Sequence, residues 1–310
     1  MTRQTASTLL LIEPVAFGFN QQTAENNYFQ QPTDAFAVQE KALREFRQMT
    51  ARLQSKGMNL IVIQDTLEPH TPDSIFPNNW ISFHEDGTVV LYPMFAVNRR
   101  PERRPDILKQ IEKEGFSIRK VVDYSPFENR GVFLEGTGSM VLDRANRKAY
   151  AALSERTHLP LFLQFCEELH FTPYYFSANQ TVGTKRLPIY HTNVMMSIGD
   201  HYAVICLDSI DDAGEKQAIT RSLRDSGKEI VEITEAQMYC YAGNMLQVEN
   251  RDGKKIAVMS ETAHQALTAK QIEQISPFNE IVSFPVPAIE KVGGGSVRCM
   301  LAEVVSSSRA

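Results

Sequence analysis

"NVMMSIGDHYAVICL", residues 193–207, reads as two apolar strands around a Gly199-Asp200 turn. Such a turn between strand-forming runs is a hairpin signal. "GEKQAITRSLRDSG" (214–227) then reads as a helix and "KEIVEIT" (228–234) as another strand. The unit is strand, strand, helix, strand, and it decides the fold because it recurs. Downstream, "NMLQVENRDGKKIAVMS" (244–260) is a hairpin around Asp252-Gly253, "TAKQIEQIS" (268–276) a helix and "EIVSFPV" (280–286) a strand.

Upstream the order is the same. "GTGSMVLDRANRKAYAALS" (136–154) is a hairpin around 143–147, followed by the helix "LPLFLQFCEELH" (159–170) and the strand "FTPYYFSA" (171–178). "NNWISFHEDGTVVLYPM" (78–94) is a hairpin at Asp86-Gly87, followed by the helix "RPDILKQIEKEGF" (104–116) and the strand "SIRKVVDYS" (117–125). Near the start, "STLLLIEPVAF" (7–17) is a strand and "MNLIVIQDT" (58–66) another. Between them the helix 34–57 carries Val38, Ala42, Phe46, Met49 and Leu53 near helical spacing and stops at Gly57. "SVRCMLAEVVS" (296–306) supplies the missing strand of that first unit. Four complete units plus one split between the two ends predict an α/β fold: a closed, propeller-like ring of five pseudo-symmetric units around a central axis. No Pro/Gly/Ser-rich linker divides it, so residues 1–310 read as a single domain.

The chain has 310 residues, 43% of them hydrophobic and 22% charged, with a net charge of −5. That balance gives no electrostatic reason to expect nucleic acid or an anionic membrane as partner. The first apolar run, Leu9 to Ile12, is too short for a signal peptide or a membrane span, so a cytoplasmic protein is expected. No Walker loop, dinucleotide fingerprint or metal-ligand spacing of histidines appears, so neither cofactor nor metal is predicted. Cys166, Cys206 and Cys240 lie in apolar or aromatic contexts expected of buried thiols. Cys299 differs, because it follows the glycine run 293–295.

The repeat also says where to look for chemistry. Just before the first strand of each unit stands a short polar or glycine element. These elements hold Asn79, Glu135, His191 with Asn193, Asn244 and Cys299. Asn79, Glu135, Asn193, Asn244 and Cys299 are separated by 56, 58, 51 and 55 residues in turn. Equivalent positions in a ring face one another across its axis, so sulfur, imidazole, carboxylate and amides are expected to meet in one cavity. Cys299 is then the candidate nucleophile, His191 the acid/base and Glu135 a group that grips and orients. Asn79, Asn193 and Asn244, each also a plausible turn or capping residue, are candidate substrate contacts. Arg298, beside the cysteine, is counted with them. In an extended "SVRCML" its side chain would point to the face opposite the thiol. Arg130, Arg186 and the arginines of "RRPERR" (99–104) are equal candidates for a substrate carboxylate.

This set resembles the guanidino-group-modifying enzymes: arginine deiminases, dimethylarginine hydrolases and amidinotransferases, which share the fivefold pentein propeller. The details "FPNNW", "NRRPERR" and "GGGSVRCMLAE" look most like the branch of citrulline-utilisation hydrolases. The resemblance implies a cysteine nucleophile at Cys299, a general acid/base at His191 and an orienting carboxylate at Glu135. It implies a small amino-acid-like substrate and no cofactor, and leaves homo-oligomerisation open. Many relatives carry aspartate where this chain has Asn79, and H-x-D where it has His191-Thr192-Asn193. An amide both donates and accepts, which suits a neutral ureido group better than a guanidinium. The expectation is therefore a hydrolase of a non-peptide C–N bond, citrulline first, through a covalent thioester-like intermediate whose thiolate leans on a protonated His191 or on local dipoles. Arginine or agmatine deiminase and amidinotransferase are the alternative activities, and a non-catalytic pentein binding module is the alternative class.

Overall fold

The computed structural model describes residues 3–32 and 36–305. It is a mixed α/β fold of small sheets, in which each predicted hairpin and crossover helix of the repeat has a counterpart, while Gly136–Ser139 and Thr192–Met195, at the starts of two predicted hairpins, are helical turns. The strands in chain order are β1 (Thr8–Glu13), β2 (Asn59–Gln64), β3 (Ile81–Phe83), β4 (Thr88–Leu91), β5 (Lys120–Asp123), β6 (Val141–Asp143), β7 (Lys148–Ala152) and β8 (Thr172–Phe176). They continue with β9 (Asn179–Val182), β10 (Lys185–Pro188), β11 (Met196–Ile198), β12 (Tyr202–Ile205), β13 (Glu229–Glu232), β14 (Leu246–Glu249), β15 (Lys255–Ser260), β16 (Glu280–Phe284) and β17 (Ala302–Val304). The three-stranded sheets are β17-β1-β2, β3-β4-β5, β6-β7-β8, β11-β12-β13 and β14-β15-β16.

Each of these sheets has the same register logic. A leading strand pairs antiparallel with the middle one, as Ile81 with Leu91, and the third runs parallel to it, as Thr88 with Lys120. The antiparallel step needs only a tight turn, whereas the parallel step needs a crossover, and a helix supplies it each time. The sheet β17-β1-β2 joins the two ends of the described chain: Thr8 lies opposite Val304 and, on the other side, opposite Asn59. The expectation that 296–306 completes this unit is met by its last third alone.

Two features depart from the sequence reading. "SVRC" is not extended: Val297–Met300 forms a 3₁₀ turn, closed by Cys299 N–H on Ser296 O (2.9 Å) and Leu301 N–H on Arg298 O (3.2 Å). The turn aims Cys299 where a straight strand would not. The antiparallel ribbon β9–β10 is an insertion outside the repeat.

The crossover helices bury one apolar face against their sheets. Val38, Ala42, Phe46, Met49 and Leu53 of the helix Phe36–Ser55 pack with Leu9 and Leu11 of β1 and Phe284 of β16. Burying a side chain of this size contributes roughly 1.5–3 kcal/mol before entropy is counted. On the inner side, β17 lies beside β3, β6 beside β11, and β11 beside β14. Short elements precede the leading strands and touch in turn. Gly136–Ser139 contacts both Pro77–Asn79 and Thr192–Met195, and Pro77–Asn79 contacts Val297–Met300. Among the described residues no helix is long and apolar enough to cross a membrane.

Candidate active site

The short elements ahead of the leading strands carry the chemistry. Asn79 closes the turn before β3, Glu135 starts the helical turn before β6, and His191 starts the one before β11. Asn244 lies in the turn before β14, and Cys299 in the 3₁₀ turn before β17. Each of these five is at most 4% exposed, so their polar atoms need partners within the protein or on a ligand.

His191 Nε2 lies 2.7 Å from Glu135 Oε2, and Asn193 and Asn244 reach Cys299 Sγ with their Nδ2 atoms at 3.7 and 3.3 Å. A cavity of about 20 Å³ is walled by Cys299, His191, Asn79, Asp73, Arg99 and Arg156, with Tyr190 and the glycines 293–295. Glycine is required at Gly138. A Cβ there would lie 2.4 Å from Asn79 Nδ2 and 2.8 Å from His191 Nδ1, so both side chains rest on bare backbone. The glycine run ahead of Cys299 does similar work. Gly293 and Gly295 leave room for the Phe76 ring, and Gly294 has φ +62°.

The electrostatics follow from burial and charge. Burial favours a neutral Glu135, but Arg156 (Nη1 to Oε2 3.5 Å), the His191 hydrogen bond and Arg99 outweigh it and hold the carboxyl down at about 2. Burial, with Arg156 and Arg99, pushes His191 down to about 4 despite its bond to Glu135. Burial pushes the Cys299 thiol up. The resting pair is thus a thiol and a neutral imidazole. Of the two supports expected for a thiolate, burial and the nearby arginines disfavour the protonated imidazole, and local dipoles remain.

The structure brings Cys299, His191, Glu135, Asn79, Asn193 and Asn244 together. It does not bring Arg298 into the cavity. That guanidinium donates to Leu301 O (2.9 Å) and faces Glu303 (3.4 Å), because the 3₁₀ turn points it away from the wall. Arg130 and Arg186 do not line the cavity either; Arg99 does. Arg99 is clamped by Glu102 (2.8 and 2.9 Å) and donates to Asn79 Oδ1 (2.8 Å), which leaves Asn79 Nδ2 without a partner.

Sequence reasoning missed Asp73 and Arg156. Asp73 accepts from Asn20 Nδ2 (2.8 Å) and Thr23 Oγ1 (3.1 Å), while its Oδ1 has no partner. Arg156 donates to Thr23 O (2.7 Å) and Asn26, and its guanidinium lies 5.0 Å from the Tyr190 ring centroid. Neither stands at a repeat-equivalent position, so the spacing that found the others could not find them. Among the described residues no cluster of His, Cys, Asp and Glu is placed to hold a metal ion.

Buried sulfur, imidazole, carboxylate and amides thus line or adjoin one cavity. The model of the family described as N,N-dimethylarginine dimethylhydrolase, eukaryotic, matches residues 13–306, and the chain belongs to that family. It is thereby a hydrolase of the amidine and guanidino class, within the guanidino-modifying superfamily that the sequence resembled. No curated protein sequence matches it.

Solved structures share the fold. The substrate-bound N-terminal domain of ArgZ, an arginine dihydrolase from the ornithine-ammonia cycle in Cyanobacteria, superposes with a TM-score of 0.75 at 15% identity over 97% of this chain and 99% of that domain. Unliganded AgrE gives 0.73 at 16% identity over 98% of this chain but 40% of its own length. Against full-length ArgZ, too, the chain spans 40% of the neighbour. A dimethylarginine dimethylaminohydrolase bound to 4-chloro-2-hydroxymethylpyridine gives 0.64 at 15% identity over 97% and 99%.

Proposed function

We propose that the chain hydrolyses the guanidino group of an α-amino acid of arginine type, and the ureido group that first results, with Cys299 as nucleophile. The observation that carries this is one cavity whose lining combines Cys299 and His191 with Asp73, whose Oδ1 has no partner, and with Arg99 and Arg156. A carboxylate beside guanidinium groups matches an ammonium and a carboxylate on one substrate.

Arg99 holds the Asn79 carbonyl and so turns its Nδ2 outward as a donor. A donor there suits the oxygen of a ureido group and spares the site a carboxylate. Citrulline, which the amides suggested, thus stays in the reading as a second substrate. It loses first place because the solved neighbours act on arginine or dimethylarginine.

The steps follow from the geometry. The Cys299 thiol passes its proton to the neutral His191 imidazole, and its sulfur bonds to the guanidino carbon. A cationic substrate in this buried site favours that ionisation. His191, held in place by Glu135, carries a proton to the departing nitrogen and then takes one from the attacking water. Ammonia leaves, the C–S bond breaks, and the ureido product remains. A second attack and a second water release ammonia and a carbamate, which loses carbon dioxide to give ornithine.

The five sheets, on this reading, are the blades of a closed ring within a single catalytic domain, residues 1–310. The free state of all four cysteines agrees with a reducing compartment such as the cytoplasm.

The test is ammonia release from arginine, citrulline, agmatine, carbamoyl-putrescine and methylarginines, beside Cys299→Ala. Arginine and citrulline should react and agmatine should lose at least about 10-fold in kcat/KM, the worth of one charge-assisted contact. Agmatine turned over as well as arginine, or ammonia from Cys299→Ala, would defeat the reading.

A further inference from the structure

Asn193 and Asn244 come from the leading segments of two different sheets and meet at one atom. Both are 1% exposed. Asn244 Nδ2 donates to the Asn193 backbone carbonyl (3.0 Å) as well as to Cys299 Sγ (3.3 Å). A carbonyl only accepts, so that contact fixes which end of the amide faces the sulfur. Asn193 Nδ2 approaches Sγ from its own segment at 3.7 Å. Among the described residues these are the side chains that donate to Sγ. Neither lines the cavity, whereas Cys299, His191 and Asn79 do.

We infer that Asn193 and Asn244 form a two-donor cradle behind the Cys299 sulfur that stabilises its thiolate and fixes its line of attack. The inference rests on Cys299 being the nucleophile, but not on which substrate it attacks. It replaces the substrate contacts that sequence assigned to these two amides.

The surroundings explain why a cradle is needed. On the sulfur's own turn, Arg298 is spent on Leu301 O and Glu303. His191, on the segment leading to β11, is neutral at rest and bonded to Glu135. Arg99 and Arg156 on the cavity wall are paired with Glu102 and Glu135, and Asp73 adds a carboxyl. The phenols of Tyr190 and Tyr241 near the sulfur are pushed up by burial and stay neutral. Arg298 favours the thiolate but is shared with Leu301 O and Glu303, so neutral N–H dipoles aimed at Sγ are what the fold adds. Burial pushes the thiol up. The Ser296 backbone, the two amides and Arg298 work against it. A carboxylate in place of either amide would set a negative oxygen against the sulfur.

The test uses the full chain without substrate. Alkylation of Cys299 by iodoacetamide is followed against pH, with the modified residue located by mass spectrometry, in Asn193→Asp, Asn244→Asp and the two alanine variants. The midpoint should move up by about one pH unit or more in the aspartate variants, about a 10-fold slower reaction at neutral pH. Alanine variants should show a smaller upward shift, and the plateau at high pH should match the parent. Curves superimposable on the parent, or a lowered plateau with an unmoved midpoint, would overturn the cradle. Asn244→Asp also loses a buried hydrogen bond. Should circular dichroism show it unfolded, Asn193→Asp and Asn193→Ala decide on the same criteria. If the parent protein alkylates as expected yet releases no ammonia from arginine or citrulline, the substrate reading fails and the cradle stands.

Discussion

His191 and Glu135 tie the acid stability of this protein to its site. Both groups titrate lower in the folded chain than their ordinary values, the histidine at about 4 rather than 6.5 and the glutamate at about 2 rather than 4.5. Between pH 6.5 and 4 the unfolded chain takes up a proton at His191 that the folded chain refuses, so stability falls as pH falls. Glu135 adds a further loss from 4.5 downward, since its ionised form is the one the fold stabilises. His84, buried and lowered by burial, Arg144 and Arg147, acts in the same direction as His191. In thermal melts from pH 7 to pH 4, His191→Gln should therefore lose less Tm than the parent. An equal or steeper fall in the variant would show that the imidazole is not held neutral. The identity of these two groups was legible in the sequence because they occupy repeat-equivalent positions. Their charge state was not, because it depends on Arg156, which lies outside the repeat and reaches the site from the "SERT" loop.

At the scale of the element, the glycine run at 293–295 is the last turn and cap of the helix Pro287–Gly293, not a free linker. Gly294 sits in the left-handed region at φ +62°, and a Cβ on it would lie 2.5 Å from Asn27 Nδ2 and from Gln30 Cγ. Asn27 in turn donates to Gly294 O (3.3 Å) and walls the cavity. The cap and the segment around Asn27 are therefore one assembly closing the site. Gly294→Ala should destabilise by about 1–3 kcal/mol through strain alone and should cost activity beyond that loss. The measurements are a denaturant melt and kcat/KM at a temperature where the variant is fully folded. A variant with parental stability and turnover would remove this role. The 3₁₀ turn that follows was not legible, because glycine, valine and an apolar run read as strand. The turn sets Cys299 against Asn244 and Asn193 and in the cavity wall, a tertiary placement that local sequence does not encode. The strand pattern of the other units was legible because period and turn residues agree at every hairpin.

At the scale of the whole molecule, the sheet β17-β1-β2 makes neighbours of residues far apart in the chain, with Thr8 opposite Val304. A circular permutant that links the segments outside β1 and β17 by a short flexible tether and opens the chain at Gly183, between β9 and β10, should fold and keep its turnover. Gly183 has φ +61° and nothing within 4 Å of an added Cβ, so new ends there disturb no packing. A permutant that is insoluble or inert, with the parent active, would show that the order of the strands in the chain matters beyond the contacts they make. The inserted ribbon β9–β10, which offers this opening, was invisible to a search for repeats because it belongs to none of them.

That same sheet sets a timetable for the newborn protein. A ribosome releases β1 long before it reaches β17, and only two residues separate Cys299 from the strand that completes the sheet. For most of translation the outer edge of β1 therefore waits with its amides and carbonyls unmatched, exposed to any passing strand. Cys299 emerges together with the strand that fills that edge, so its sulfur appears only when the sheet can be completed.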